Sequence, residues 1–122
     1  MNVKQLLIDT INSKYNYPII LQGSMSEDET YPNSFFTFYN NDTFDGEFYD
    51  NKESITTWDF DLNFYSNDPL LVDSVLGDVI KLLKEKSFIV DGKGHDVMSD
   101  EISHTGRGIN ILYKEKSQWA YR

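Results

Sequence analysis

Residues 58–65 alternate between apolar and polar side chains, a period-two pattern that predicts a β-strand with one buried face. The apolar side consists of Trp58, Phe60, Leu62 and Phe64, and the polar side of Asp59, Asp61, Asn63 and Tyr65. We expect the apolar side to face a core and the polar side to face water or a partner. The rest of the chain is interpreted around this strand.

A helix is predicted directly after this strand. Asp68 can cap a helix that begins at Pro69, because the first turn leaves N–H groups unpaired and proline has none to lose. Apolar residues at helical spacing then continue almost to Lys86, which predicts a stripe that packs on a sheet. Gly77 lies inside this helix, where it costs about 1 kcal/mol relative to alanine. We therefore expect close packing against an aromatic ring at Gly77.

The other segments complete an α+β pattern. A first amphipathic helix is expected from about Asn2 to Tyr15, with Asn2 as its N-cap and Gln5 completing a capping box. Strands are expected at 19–22, 34–39, 88–90 and 109–114, and segments 34–40 and 56–66 should form an antiparallel hairpin. This order predicts a mixed, mostly antiparallel sheet of four to five strands with two helices packed on one face. The other face should stay open.

Residues 40–56 form the least regular segment. They have the Asn, Asp and Gly content of turns, yet they also include Phe44, Phe48 and Tyr49. We expect a long acidic loop or hairpin arm that becomes ordered against a neighbour. With 122 residues in total, the chain is expected to form one domain that carries this arm.

Charge and composition restrict the possible functions. The net charge is −9, and all of it lies between Glu27 and Asp61, where ten acids accompany one base, Lys52. Such a segment does not bind a nucleic-acid backbone by counterion release, but it could repel DNA or meet a basic partner; a solvated acidic loop is the alternative. The absence of cysteine and of a secretory pattern predicts a chain made in the cytoplasm.

No catalytic, cofactor or metal site is predicted. In residues 41–52, Gly46 lies at the position of the turn glycine in a calcium-binding loop, but Lys52 lies where such a loop needs a glutamate that binds the ion through both oxygens. His95 and His104 have acidic neighbours, although their spacing matches no known ligand set. Asp59 and Asp61 could pair as in a glycosidase, yet any polar strand face brings such side chains together.

Arg107 lies between Gly106 and Gly108, which predicts a tight turn that presents one charge. The arginine could bind a carboxylate of a partner, or it could simply be solvated. Both alternatives remain open from the sequence.

Four runs of the sequence carry a resemblance to a known family. They are 64–72 (FYSNDPLLV), 89–94 (IVDGKG), 99–101 (SDE) and 104–108 (HTGRG). Together they resemble small morphogenesis proteins of siphophages and prophages of Gram-positive bacteria, which are encoded among the head–tail connector genes. The resemblance covers about residues 34–115 and includes no catalytic motif.

The resemblance implies a tail terminator, a protein that joins head and tail and shares the fold of tail-tube components. It implies a hexameric ring of this chain at the end of the tail, with the tail tube protein and the head connector protein as partners. DNA would pass through the ring without specific binding. The expected location is the head–tail interface of the virion, after assembly in the host cytoplasm.

Seven residues are predicted to contact neighbouring subunits: Asp59, Asp61, Asn63, Tyr65, Phe44, Phe48 and Arg107. Three alternatives to a tail terminator remain. The chain could be a head-completion protein of the same gene region, or a monomeric acidic module that masks a basic partner. It could also be a hydrolase that uses Asp59, Asp61 or His104.

Overall fold

Two helices and six strands make up the described part of the chain. The computed structural model describes residues 2–22, 24, 31–49 and 53–118. The elements are α1 (Val3–Asn12), β1 (Ile19–Leu21), β2 (Ser34–Tyr49), β3 (Glu53–Ser66), α2 (Pro69–Glu85), β4 (Ile89–Val90), β5 (His95–Val97) and β6 (Thr105–Gln118). The predicted α+β class is confirmed, with one strand more than expected, because β5 is too short for its pattern to be recognised.

The strands form one mixed sheet in the order β1-β2-β3-β6-β4, with β5 also paired to β6. β1 runs parallel to β2, and every other pair is antiparallel. The predicted hairpin of segments 34–40 and 56–66 is therefore confirmed as β2 and β3.

The segment at 40–56 continues this hairpin as an arm. Pairing between β2 and β3 extends from Ser34 opposite Ser66 to Tyr49 opposite Glu53, with two register shifts on the β2 side. β6 pairs with β3 along the same length, as far as Gln118. The turn-prone Asn and Asp residues lie on β2 and form a strand because the ladder of hydrogen bonds to β3 outweighs their weak strand propensity.

Both helices begin at the predicted caps. The side chain of Asn2 accepts a hydrogen bond from the backbone N–H of Gln5 at 3.1 Å. The side-chain amide of Gln5 donates to Asp9 at 2.8 Å and does not reach back to Asn2, so the second hydrogen bond of the capping box does not form. Asp68 accepts from the Leu70 N–H at 3.0 Å, and Pro69 occupies the first turn.

The core lies between the two helices and one face of the sheet. The helices contribute aliphatic side chains and the strands contribute mainly aromatic ones; the largest fully buried members are Phe36, Phe60, Phe64, Leu7, Ile11, Leu62, Leu76, Leu83 and Ile111. The aromatic contact expected at Gly77 is wrong, since nothing lies within 4 Å of a Cβ added there. No helix in the described ranges is long and apolar enough to cross a membrane.

Candidate interaction surface

The polar side of β3 lies on the sheet face opposite the helices, as its alternation predicts. Phe60, Leu62 and Phe64 are completely buried in the core, whereas Asp61 and Asn63 between them are only half-buried. We call this second side the open face. It displays Asp59, Asp61, Asn63 and Tyr65 side by side, which are four of the seven residues predicted to contact other subunits.

Asp59 and Asp61 are held together by an amide. Asn110 on β6 donates from Nδ2 to Oδ1 of Asp59 at 2.6 Å and to Oδ1 of Asp61 at 3.1 Å. Asn41 on β2 adds a longer hydrogen bond to Asp59, at 3.3 Å. The carboxylates therefore form part of a polar lattice across three strands, in which both act as acceptors. Neither asparagine was identified from the sequence, because the lattice depends on strand register.

Glycines on β6 allow the side chains of β3 to lie across the open face. A Cβ at Gly106 would lie 2.6 Å from the Tyr65 ring, and a Cβ at Gly108 would clash with Oδ1 of Asn63. The two glycines are thus positions of close approach inside a strand. The tight turn predicted at 106–108 is wrong, since β6 already begins at Thr105.

At the Tyr65 end, other aromatic side chains cover part of the open face. Phe35 is buried and stacks on Tyr65 with ring centroids 5.3 Å apart, and Tyr31 meets Phe35 edge-on at 5.5 Å. Burial raises the pKa of Tyr65 above its ordinary value. A cleft of about 300 Å³ remains beside these rings, and Asp100 is also at its margin.

His104 fastens the loop at 98–104 to the segment before β2. Its Nε2 lies 2.8 Å from the carbonyl oxygen of Pro32, which can only accept, so Nε2 carries the proton that is donated. In the neutral ring, Nδ1 then accepts from the Ser103 hydroxyl at 2.9 Å. Both ring nitrogens are engaged in positioning the loop. Among the described residues, no three His, Cys, Asp or Glu side chains are grouped so that they could hold a metal ion.

Arg107 lies on the helix side of the sheet. Its guanidinium contacts the Asp96 carboxylate at 2.9 Å and the Gly94 carbonyl oxygen at 3.0 Å. Nε lies 3.4 Å from Asp73 of α2. The side chain is only a quarter exposed, so its charge connects α2 to β5 inside one chain. Of the two alternatives left open by the sequence, a solvated side chain does not describe this arrangement, and a contact with a partner's carboxylate stays a prediction.

Phe44 and Phe48 are the two aromatic residues of the arm that were predicted to contact neighbouring subunits. Phe44 on β2 is 48% exposed, which leaves its ring accessible to a partner. Phe48 pairs through its backbone with Ser54, but its side chain lies outside the described part of the structure. The acids at 27–29 are outside the described residues as well.

Three apolar side chains at one end of the molecule were missed by the sequence reasoning. Leu70 is 85% exposed, Met98 is 93% exposed, and Ile102 is completely exposed. Met98 and Ile102 line a cleft of about 460 Å³ between the start of α2 and segment 96–106. A signal existed for Ile102, which is the one apolar residue in the polar run 99–105, whereas Met98 directly follows Val97.

No protein-family model matches this chain, and no curated protein matches it by sequence.

Proposed function

We propose that this protein is a structural subunit of a phage or prophage particle, and specifically a tail terminator. Six copies would form a ring that caps the tail tube and joins it to the head connector. The proposal rests on the four sequence runs at 64–72, 89–94, 99–101 and 104–108, taken together with the surfaces that the fold leaves uncovered.

The observation that carries the proposal is the exposure of Leu70, Met98 and Ile102. Burying a large aliphatic side chain contributes about 1.5–3 kcal/mol, so three such side chains in water at one end favour a subunit contact. Phe44 on the arm adds a second exposed apolar position far from this end. A ring subunit needs two different contact surfaces, one for each neighbour, so exposed apolar side chains at separate places on the molecule favour this function.

The charge of the arm suits a ring through which DNA passes. Asp42 and Asp45 are exposed on β2, and Asp59 lies opposite Asp42 on β3. Carboxylates on the wall of a channel repel the phosphate backbone and prevent it from adhering. On this proposal the arm faces the lumen or its entrance.

Deletion of the gene from its phage or prophage, followed by electron microscopy of the particles, tests the function. We expect tails of uncontrolled length beside filled heads without tails. Normal-length free tails would instead assign the protein to head completion, and particles with wild-type infectivity would refute a role in assembly.

Complementation connects this phenotype to the exposed apolar end. A chain with Met98→Ser and Ile102→Ser should fail to restore normal tails although it folds, because both side chains lie in solvent in the isolated subunit. Leu21→Ser is the matched control, since Leu21 is also a partly exposed aliphatic residue but lies on the edge strand β1. Equal complementation by both variants would contradict the role given to Met98 and Ile102.

A further inference from the structure

The two ends of α2 carry opposite charge. At its N-terminal end, Asp73, Asp96 and Glu101 line the same cleft as Met98 and Ile102. We call this surface, with the neighbouring Leu70 and Asp100, the acidic end. At the other end of α2, the exposed lysines are Lys81, Lys84 and Lys86, with Glu85 as the acid among them. We call these residues, together with Ile89, the basic end.

The acidic end and the basic end cannot meet within one molecule. α2 has 17 residues, so a rise of 1.5 Å per residue places its ends about 25 Å apart. Both ends also carry apolar surface, since Ile89 is 46% exposed at the basic end while Leu70, Met98 and Ile102 are exposed at the acidic end. The two surfaces therefore carry opposite charges, and both offer apolar side chains that a contact between them would bury.

Two of the acids at the acidic end are already paired with Arg107, which leaves others to contact a lysine of a second copy. Asp73 and Asp96 already contact its guanidinium. Asp100 and Glu101 lie on the loop that also carries Met98 and Ile102, and Asp100 accepts a long hydrogen bond, 3.4 Å, from the Tyr31 hydroxyl. These two carboxylates are the ones we assign to a contact with lysine. An intermolecular contact here would combine apolar burial with opposite charges around it, which is the usual anatomy of a specific interface.

We propose that the protein associates head to tail with a second copy of itself, the basic end of one copy seated against the acidic end of the next. Pairing of two acidic ends would oppose carboxylates, and pairing of two basic ends would oppose ammonium groups, so a two-fold symmetric contact is disfavoured. A heterologous contact closes into a ring or extends into a filament. The inference deepens the proposed function and rests on it only for closure into a ring at the tail.

Site-specific cross-linking tests this contact, because the chain contains no cysteine and each introduced thiol is the only one present. Met98→Cys and Ile89→Cys are purified separately, treated with a short bismaleimide alone and as a mixture, and analysed by denaturing electrophoresis. We expect cross-linked dimer from the mixture and little from either variant alone. A chain that carries both cysteines should give a ladder of oligomers.

The control is a mixture of Asn12→Cys with Met98→Cys, since Asn12 is exposed at the end of α1 and belongs to neither surface. A yield from the main mixture that does not exceed this control would overturn the proposal. Efficient dimer formation by Met98→Cys alone would also overturn it, because that result requires a two-fold contact between acidic ends.

Charge reversal provides a second test. Glu101→Lys in the Met98→Cys chain, or Lys84→Glu in the Ile89→Cys chain, should each lower the dimer yield, and the mixture of both reversed chains should restore it. If the dimer yield is not restored, the proposed pairing of lysine with carboxylate is wrong. A tail-length defect on gene deletion combined with absent cross-links would reject the contact while leaving the proposed function intact.

Discussion

Replacing Gly106 by alanine tests how tightly Tyr65 lies over strand β6. A Cβ at this position would be 2.6 Å from both Cδ1 and Cε1 of Tyr65 and 2.8 Å from Cγ2 of Val97. The Tyr65 ring cannot simply swing away, because it stacks on Phe35, which is buried. The added methyl group therefore displaces a packed aromatic cluster.

We expect Gly106→Ala to lower the free energy of unfolding by about 1–3 kcal/mol, which is typical of overpacking. Gly77→Ala is the matched control, because the same change in α2 meets nothing within 4 Å. It removes the helix penalty of glycine and should raise the free energy of unfolding by about 1 kcal/mol. On the order of 4 °C per kcal/mol is expected in Tm for a chain of this size, so the two variants should shift Tm in opposite directions.

Urea titration followed by circular dichroism measures both changes, and a Tyr65→Ala background identifies their cause. Without the tyrosine ring, the penalty of Gly106→Ala should shrink to the part due to Val97, since a double-mutant cycle isolates the contact between two residues. An equal penalty in both backgrounds would refute the steric reasoning, and so would a Gly106→Ala variant as stable as the wild type.

Three further substitutions test other contacts. Ser87→Gly should raise the free energy of unfolding by about 0.5–1 kcal/mol, because Ser87 has a φ of 70° just after α2, where glycine is unstrained; an unchanged urea midpoint would contradict this. Burial and a hydrogen bond to Asp78 raise the pKa of Tyr15 from 10.0 to about 12. Its neutral form therefore stabilises the fold below pH 10, and this contribution is lost as the pH rises to about 12. Tyr15→Phe should flatten the stability profile between those values and remove a step near pH 12 from the tyrosinate absorbance titration. Arg107→Met should lower the free energy of unfolding by about 1–2 kcal/mol, less at high salt, because it removes the contacts with Asp73 and Asp96; equal losses at low and high salt would argue for lost packing instead.

Local patterns in the sequence were sufficient for the main elements of the fold. The alternation through Phe60 and Leu62 gave the central strand and its buried side, and Asp68 with Pro69 gave the start of α2. These features depend on neighbours in sequence, since strand alternation and helix capping involve residues at most a few positions apart. The α+β class followed from their order.

The tertiary structure decided what surrounds those elements. Arg107 was predicted to stand in a turn, but pairing of β6 with β3 places it in a strand beside Asp73 and Asp96. The arm formed because β3 has a partner on each side over its whole length.

The exposure of Met98 and Ile102 likewise depends on where the loop at 98–104 comes to rest. Sequence patterns by themselves determined which backbone conformations each segment prefers. Contacts between residues distant in sequence determined which side chains were left for other molecules, because burial is a property of the assembled sheet and helices and not of any one segment.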